Sequence, residues 1–535
     1  MKKARVLLAG AEDEENLALR YLAAVLERGG HSAEIVPCSR YEDIPAVLRA
    51  VSRFRPDLIG VSVAFQSLAN MHFSLIAELR KAGYGGHVTV GGHFPTFEFK
   101  RILETQGGVD SVIRFEGEQA IVELAAALPG PDLSNVANLV YRASGGLKEN
   151  PCVYKFQDLD ALPFPVRSRK QDARLGENFA TLVSSRGCWH SSCLYCCIGA
   201  FHSKKGEKFA LRSPENVAGE LADLYYNRNV RLFQFHDDNF MLGSKERTLE
   251  RIVALKKAIE AKGISTSEIA FLIKARPDTV DEEVASALND LGTVGVFLGI
   301  ENASETGLKA LIRGATLADI NRAVAALEKF NIVATYNLLI FHPTATLGEL
   351  EQNVRFMKEH VRLPFDFGRA EIVAGSPLER LVLGKNILAG EWPKWSYVIE
   401  DTAVDRLFRA NVSLFRRRGS PYSNLMQSAI ALSYQAYALK RLHPGKVAEG
   451  LVSDAHSLIG QINAFVVDKL ERMLAGEGVE KLYAELSEGA KRHSDGVLEL
   501  QKRMLRLQTA DRVFRRFGVR EALQETPAFR SLFSL

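Results

Sequence analysis

The 535-residue chain has no apolar run near the roughly 20 residues that a bilayer span requires. Its N-terminus, MKKARVLLAG, is basic, but the apolar run that follows is too short for the core of a secretory signal. Excess charge of one sign is also scarce. The 68 Lys and Arg against 64 Asp and Glu leave a net charge of +4, which makes no case for nucleic-acid binding. We expect a cytoplasmic protein with no membrane and no nucleic-acid partner. Internal repeats and low-complexity segments are missing as well. With 47% apolar and 25% charged residues, the composition excludes a disordered or collagen-like chain. The length suggests three or four domains.

Cysteine is the most informative scarcity. There are six, too few for a disulfide framework over this length, and they are not spread. Cys188, Cys193, Cys196 and Cys197 fall within ten positions, while Cys38 and Cys152 stand alone. A tight group of thiols in a reducing compartment binds metal or does redox chemistry.

The first 130 residues alternate apolar runs with helical patterns. Val6–Ala9, Ala33–Val36, Leu58–Val63, Val88–Val90 and Ser111–Arg114 read as strands. Five strands alternating with helices predict a flavodoxin-like, doubly wound parallel sheet, which binds ligands beyond the carboxyl ends of its strands. Small and polar residues sit at those ends: Ser62, Gln66, Gly91, Gly92, His93, Gly117 and Glu118. Glycines there permit close approach of a ligand, but any fold of this kind also needs glycines at its strand–helix turns. His93 has the same two readings, a pocket residue or a loop histidine bonded to backbone.

The segments LIGVSVAFQS, VTVGGHFPT and FEGEQAIVEL resemble the cobalamin-binding domain of cobalamin-dependent radical S-adenosylmethionine enzymes. The resemblance implies that Ser62, Gln66, Gly91, Gly92, His93, Gly117 and Glu118 line a cobalamin site. In the related mutases a DxHxxG motif supplies a histidine beneath cobalt. Its place here is held by Glu15–Arg20, without Asp, His or Gly where the motif needs them. Phe65 and Gln66 are then the nearest candidates beneath cobalt.

A Pro- and Arg/Lys-containing connector, Asp160–Arg174, leads to FATLVSSRGCWHSSCLYCCIGAF. The spacing is Cys-x4-Cys-x2-Cys with Cys197 as an extra. Three thiolates can hold a [4Fe–4S] cube and leave one iron open. Cys188, Cys193, Cys196 and His202 could alternatively form a structural zinc site in a binding protein without turnover. The flanks Arg186-Gly187, Tyr195 and Gly199-Ala200-Phe201 resemble radical S-adenosylmethionine enzymes, whose usual spacing is one residue shorter in the first interval. That resemblance implies Cys188, Cys193 and Cys196 as cluster ligands, with Tyr195 in the aromatic position before the last of them.

Downstream, strands and helices alternate, and polar residues close the strands. Counting the strand before the cysteines there are six β/α units, which suits a partial TIM-type barrel with its chemistry at the carboxyl ends. By the same resemblance, Tyr195, Asp237, Asp238, Arg276, Glu301 and Asn337 are candidates to contact S-adenosylmethionine, Arg276 by pairing with its carboxylate. The last 135 residues read as helices and hold 21 Lys and Arg against 15 Asp and Glu. Arg416–Arg418 and Arg512, Arg515 and Arg516 concentrate this charge, as a docking face for an acidic substrate or carrier, or as a solvated helical surface.

The expected order is therefore a cobalamin-binding sheet domain over 1–135, a linker over 136–177, a radical S-adenosylmethionine partial (β/α)6 barrel over 178–390, and a helical domain over 391–535. The resemblance implies an enzyme with a [4Fe–4S] cluster, S-adenosylmethionine and cobalamin. It would methylate an unactivated carbon of a small-molecule substrate through a 5′-deoxyadenosyl radical and methylcobalamin, with flavodoxin or ferredoxin as reducing electron carrier. A rearrangement, cyclisation or oxidation with the same cofactors is the alternative. Changing Cys188, Cys193 or Cys196 singly to Ala is expected to abolish S-adenosylmethionine cleavage, while Cys197→Ala retains it. Loss of the cluster only in Cys197→Ala would reverse the ligand assignment.

Overall fold

The computed structural model describes residues 3–130, 132–153, 158–168, 171–174, 176–202 and 209–517, the side chains of 512–517 excepted. Chain contacts divide it into two compact units. The first comprises residues 1–170, 185–213 and 371–397. The second comprises 171–184, 214–370 and 398–535.

The first unit is built on a seven-stranded sheet. Its strands are β1 (Arg5–Gly10), β2 (Ser32–Pro37), β3 (Leu58–Ser62), β4 (His87–Gly91), β5 (Ser111–Ile113), β6 (Leu139–Ala143) and β7 (Gly146–Glu149). The spatial order is β2-β1-β3-β4-β5-β6-β7. β1 to β5 are parallel, as their alternation with helices predicts. Val6, Leu7, Leu8 and Ala9 are all buried, because helices cover both faces of a parallel sheet. β6 and β7 extend the sheet antiparallel beyond the expected boundary at residue 135. Their short runs lack a helical partner, and a Ser144-Gly145 turn closes them as a hairpin. A second hairpin, Leu388–Glu391 with Lys394–Tyr397, also escapes the sequence pattern. It belongs to this unit, where Trp392 stacks 5.6 Å from Phe73 and donates from its indole nitrogen to Glu98 at 2.9 Å.

The second unit holds the barrel. β8 (Ala173–Arg174) pairs antiparallel with β9 (Glu177–Leu182). Five further strands are parallel to β9: β10 (Val230–Phe235), β11 (Ala270–Ala275), β12 (Thr293–Glu301), β13 (Val333–Phe341) and β14 (Phe365–Arg369). Six parallel strands make the open half-barrel that six β/α units predict. Thr316 with Asp319, and Thr346 with Glu349, form reciprocal capping boxes at the starts of helices Leu317–Lys329 and Leu347–Glu359.

Long helices end the described chain: Tyr422–Leu442, Lys446–Leu474 and Val479–Phe517. The sequence pattern predicts a break within the last of these, around residues 489–495, but the helix is continuous. Gly489 serves packing instead: a β-carbon there would overlap the ring of Phe465 on the preceding helix. The basic clusters meet different ends. Arg416 donates to Asp366 at 2.7 Å, and Arg417 lies over the Tyr483 ring beside Glu480. Arg512, Arg515 and Arg516 have side chains outside the described residues. No helix of the described residues is long and apolar enough to cross a membrane.

His443 ties the barrel's first strand to the last helix. Its Nδ1 lies 2.7 Å from Asp511 and its Nε2 lies 2.9 Å from Glu177, all three side chains being buried. Burial opposes the charge, but the two carboxylates outweigh it and raise the imidazole pKa above 6.5. The stabilisation is thus fully present below the unfolded value and is lost as pH rises through the folded one. The melting temperature of His443→Gln should fall furthest below wild type at pH 6 and approach it at higher pH. A gap independent of pH would show that the imidazole is not charged.

Candidate functional site

The carboxyl edge of the first sheet brings small residues into one row. Gly10 aligns with Ser62, Ser62 with Gly91, and Gly91 with Ile113. Gly10 is the member that sequence reasoning missed; its position as the last residue of β1 was the available signal. Gly92 has φ +110, and a β-carbon there would press on the Val63 carbonyl, so the β4 turn approaches β3 closely. His93 then starts helix His93–Thr105. Phe65, on the loop after β3, is 67% exposed. Gln66 donates to the Pro393 carbonyl, while its Oε1 is buried without a hydrogen-bond partner. Gly117 caps helix Glu118–Ala127. An edge of small residues beside an exposed ring and an orphaned carbonyl fits a bulky ligand with polar margins, as cobalamin is.

The position of the missing DxHxxG motif has its own structural use. Arg20 pairs with Glu12 at 2.6 Å, and Arg167 pairs with Glu15 at 2.6 Å, with all four side chains nearly excluded from solvent. Arg20 also donates to the Val166 carbonyl. Burial raises the Glu12 pKa against the opposing pull of Arg20.

The cysteine segment belongs to this same unit. Ser185–Gly187 pairs antiparallel with Phe209–Leu211 and brackets it. Arg186 inserts between Glu118, at 2.6 Å, and Glu116, at 3.4 Å. Burial disfavours its charge, but the two carboxylates prevail and keep it protonated. Glu118 is therefore engaged by Arg186. Phe201, at the end of a short turn of helix, contacts His93 at 4.5 Å and Phe115 at 5.5 Å between centroids. His202 beside it is pushed down to about 3 by burial and by the neighbouring His93 and Arg186, so it stays neutral.

None of the six cysteines forms a disulfide. Cys193 and Cys197 are buried, and Cys188 and Cys196 half-buried. The Cys196 amide donates to the Cys193 carbonyl in a tight turn, and Tyr195 lies within that turn. Among the described residues no three His, Cys, Asp or Glu side chains converge as they would on a single ion. Thiolates on separate irons of a cube need not converge on one point, so the thiol set still fits a cluster. Gly199 sets the loop's shape, since a β-carbon there would overlap the Ser191 carbonyl.

The other candidates lie at strand ends of the second unit. Asp237 is 1% exposed and accepts from the Ser184 amide at 2.7 Å and from its hydroxyl. Arg251 donates to the Ser184 carbonyl at 3.2 Å and lies 3.8 Å from Asp237. Asp237 thus fixes the chain after β9, whereas Asp238 faces outward. Arg276 is 4% exposed, forked onto Asp278 at 3.0 and 2.9 Å, and bonded to the Arg313 carbonyl. Its guanidinium is committed to these partners. Glu301 closes β12 with φ +66, beside Gly299 and the buried Arg313. Asn337 lies further down the barrel wall, four residues before the end of β13. Asp238 and Glu301 lie at the β10 and β12 ends, and Asp237 and Arg276 hold the backbone around them.

Residues 5–125 match the B12 binding domain, and residues 182–357 match the Radical SAM superfamily. The chain is 27% identical over 396 residues to an uncharacterized methyltransferase of Pyrococcus horikoshii, spanning 71% of this chain and 82% of that one. It is 28% identical over 255 residues to an anaerobic magnesium-protoporphyrin IX monomethyl ester cyclase of Synechocystis, spanning 46% of this chain and 48% of that one. The solved structure of OxsB, a cobalamin-dependent S-adenosylmethionine radical enzyme with aqua-cobalamin bound, aligns at a TM-score of 0.63 with 17% identity. It covers 94% of this chain and 84% of its own, a likeness of fold. Replacing Gly199 by Ala should displace the cysteine loop and reduce iron from about four atoms per chain to under one. Unchanged iron content would show that the loop tolerates the side chain.

Proposed function

Because this chain belongs to the cobalamin-dependent radical S-adenosylmethionine enzymes, we propose that it transfers a methyl group to an unactivated carbon of a small molecule. Its cofactors are cobalamin, a [4Fe–4S] cluster and S-adenosylmethionine. When bound, these supply a methyl group, an electron and a hydrogen-abstracting radical. The observation that carries the methylation reading is the similarity, over 82% of its length, to a protein named a methyltransferase.

In this reading Cys188, Cys193 and Cys196 hold the cluster, and Cys197 stays in the core. Asp238 and Glu301 orient S-adenosylmethionine. Asp237 and Arg276 are positioning residues, since each carries partners that fix a strand end. Ser62, Gly91, Gly92 and His93 line the cobalamin side, with Phe65 and Gln66 nearest the cobalt face. The Glu12–Arg20 ion pairs occupy the segment that would otherwise bear the lower histidine, so that face takes no imidazole from it. A lower face without a strong ligand would suit release of a methyl group. Reducing equivalents come from a flavodoxin or ferredoxin.

The second reading is a cyclisation, favoured by the similarity to the ester cyclases. Product ratios separate the two. Anaerobically purified protein from cells supplied with cobalamin should form about one S-adenosylhomocysteine and one 5′-deoxyadenosine per methylated product. A product formed with 5′-deoxyadenosine but no S-adenosylhomocysteine would replace methylation by cyclisation.

A further inference from the structure

The inner face of β10–β14 encloses a cavity of about 290 Å³. Its far wall is helix Tyr422–Leu442, which contributes Gln427, Ile430 and Tyr434. The helix is fixed there by three contacts. The Tyr434 hydroxyl bonds to Thr335 on β13, and Gly295 on β12 leaves room for the Tyr434 ring. Arg441 donates to the Thr266 and Ile269 carbonyls at 2.8 and 2.9 Å, near the start of β11.

The chemistry of the lining is uneven. Below the cavity Phe179, Leu232, Ala270 and Leu272 form an apolar cluster with Ala438 and Leu442. Two residues along β11 from Leu272, on the same face, stands Lys274. Among the described residues its ammonium group has neither an ion pair nor a hydrogen bond. The same holds for the amides of Asn337 and Gln427. The acid in the wall, Asp366, does not neutralise Lys274. It accepts from Arg416 at 2.7 Å, from the Tyr422 hydroxyl at 2.9 Å and from the Phe367 amide at 2.8 Å. One half-buried cation and two unpaired amides therefore face a small space beside the Phe297 ring. Its volume lies just below the roughly 300–1,000 Å³ usual for small-ligand sites.

We propose that this cavity binds the anionic group of the substrate, a carboxylate or phosphate, on Lys274, with Asn337 and Gln427 donating to its oxygens. The proposal rests on the enzyme reading above and adds the substrate class. It gives the helical C-terminal region a part in recognition, because one wall of the site is helix Tyr422–Leu442. It also moves Asn337 from the cofactor to the substrate.

The test uses anaerobically purified holoprotein with inorganic phosphate and benzoate as probes, measured by equilibrium dialysis. The expected result is saturable binding of one probe at one site per chain, which also tells phosphate from carboxylate. Lys274→Met should weaken it at least tenfold, and Lys274→Arg should stay within about threefold of wild type. Iron, corrin and S-adenosylmethionine binding are measured on the same samples. The proposal is overturned if neither probe saturates, if Lys274→Met binds as tightly as wild type, or if that variant instead loses S-adenosylmethionine. Wild-type protein without iron or corrin that still binds the probe through Lys274 would sink the enzyme reading and leave the anion site standing.

Discussion

Arg186, half-buried between Glu116 and Glu118, is the contact on which the first unit's functional edge depends. It joins the strand before the cysteines to the turn that follows β5. Removing one partner would leave a charge that is poorly solvated in this half-buried setting. The pair thus fixes where the cysteine segment lies on the carboxyl edge of the sheet. His202, neutral with a pKa of about 3, adds no competing cation beside it. Phe201 against His93 and Phe115 supplies the apolar part of the same contact. Thiols and the row Gly10, Ser62 and Gly91 are consequently parts of one compact unit.

The second unit uses the same devices at its strand ends. Several polar side chains at these strand ends hold backbone. Asp237, Arg251 and Ser184 lock the exit of β9, and Arg276, Asp278 and Arg313 lock the exit of β11. Asp237, Ser184, Arg276 and Arg313 are buried, Arg251 and Asp278 half-buried, and each charge meets a polar partner, as desolvated charges require. Asp238 and Glu301 stand beside them on the fixed frame. Deeper in the barrel the pattern inverts: Lys274, Asn337 and Gln427 line space and lack protein partners among the described residues.

Much of this was legible in the sequence. Apolar runs separated by helical periodicity determined five parallel strands and then six, because a strand covered on both faces must be apolar throughout and a crossover must be helical. The thiol spacing, Tyr195 and Gly199 located the cysteine loop, and the resemblance of its flanks supplied the chemistry.

The tertiary structure decided what depends on partners distant in sequence. A hairpin at the sheet edge and a glycine inside a long helix carry no local sign of their role; Gly489 is read as a break until Phe465 is seen against it. Asp237 and Asp238 are adjacent and chemically alike, yet one is buried against Ser184 and the other is exposed. Arg276 is taken by Asp278 and the Arg313 carbonyl, while Lys274, two residues earlier, is left to the cavity. The sequence determined the residue types and the order of the elements, because both follow from local periodicity and spacing. Which charges were already paired, and which remained for a ligand, was settled only when residues as far apart as Thr335 and Tyr434 met in the barrel.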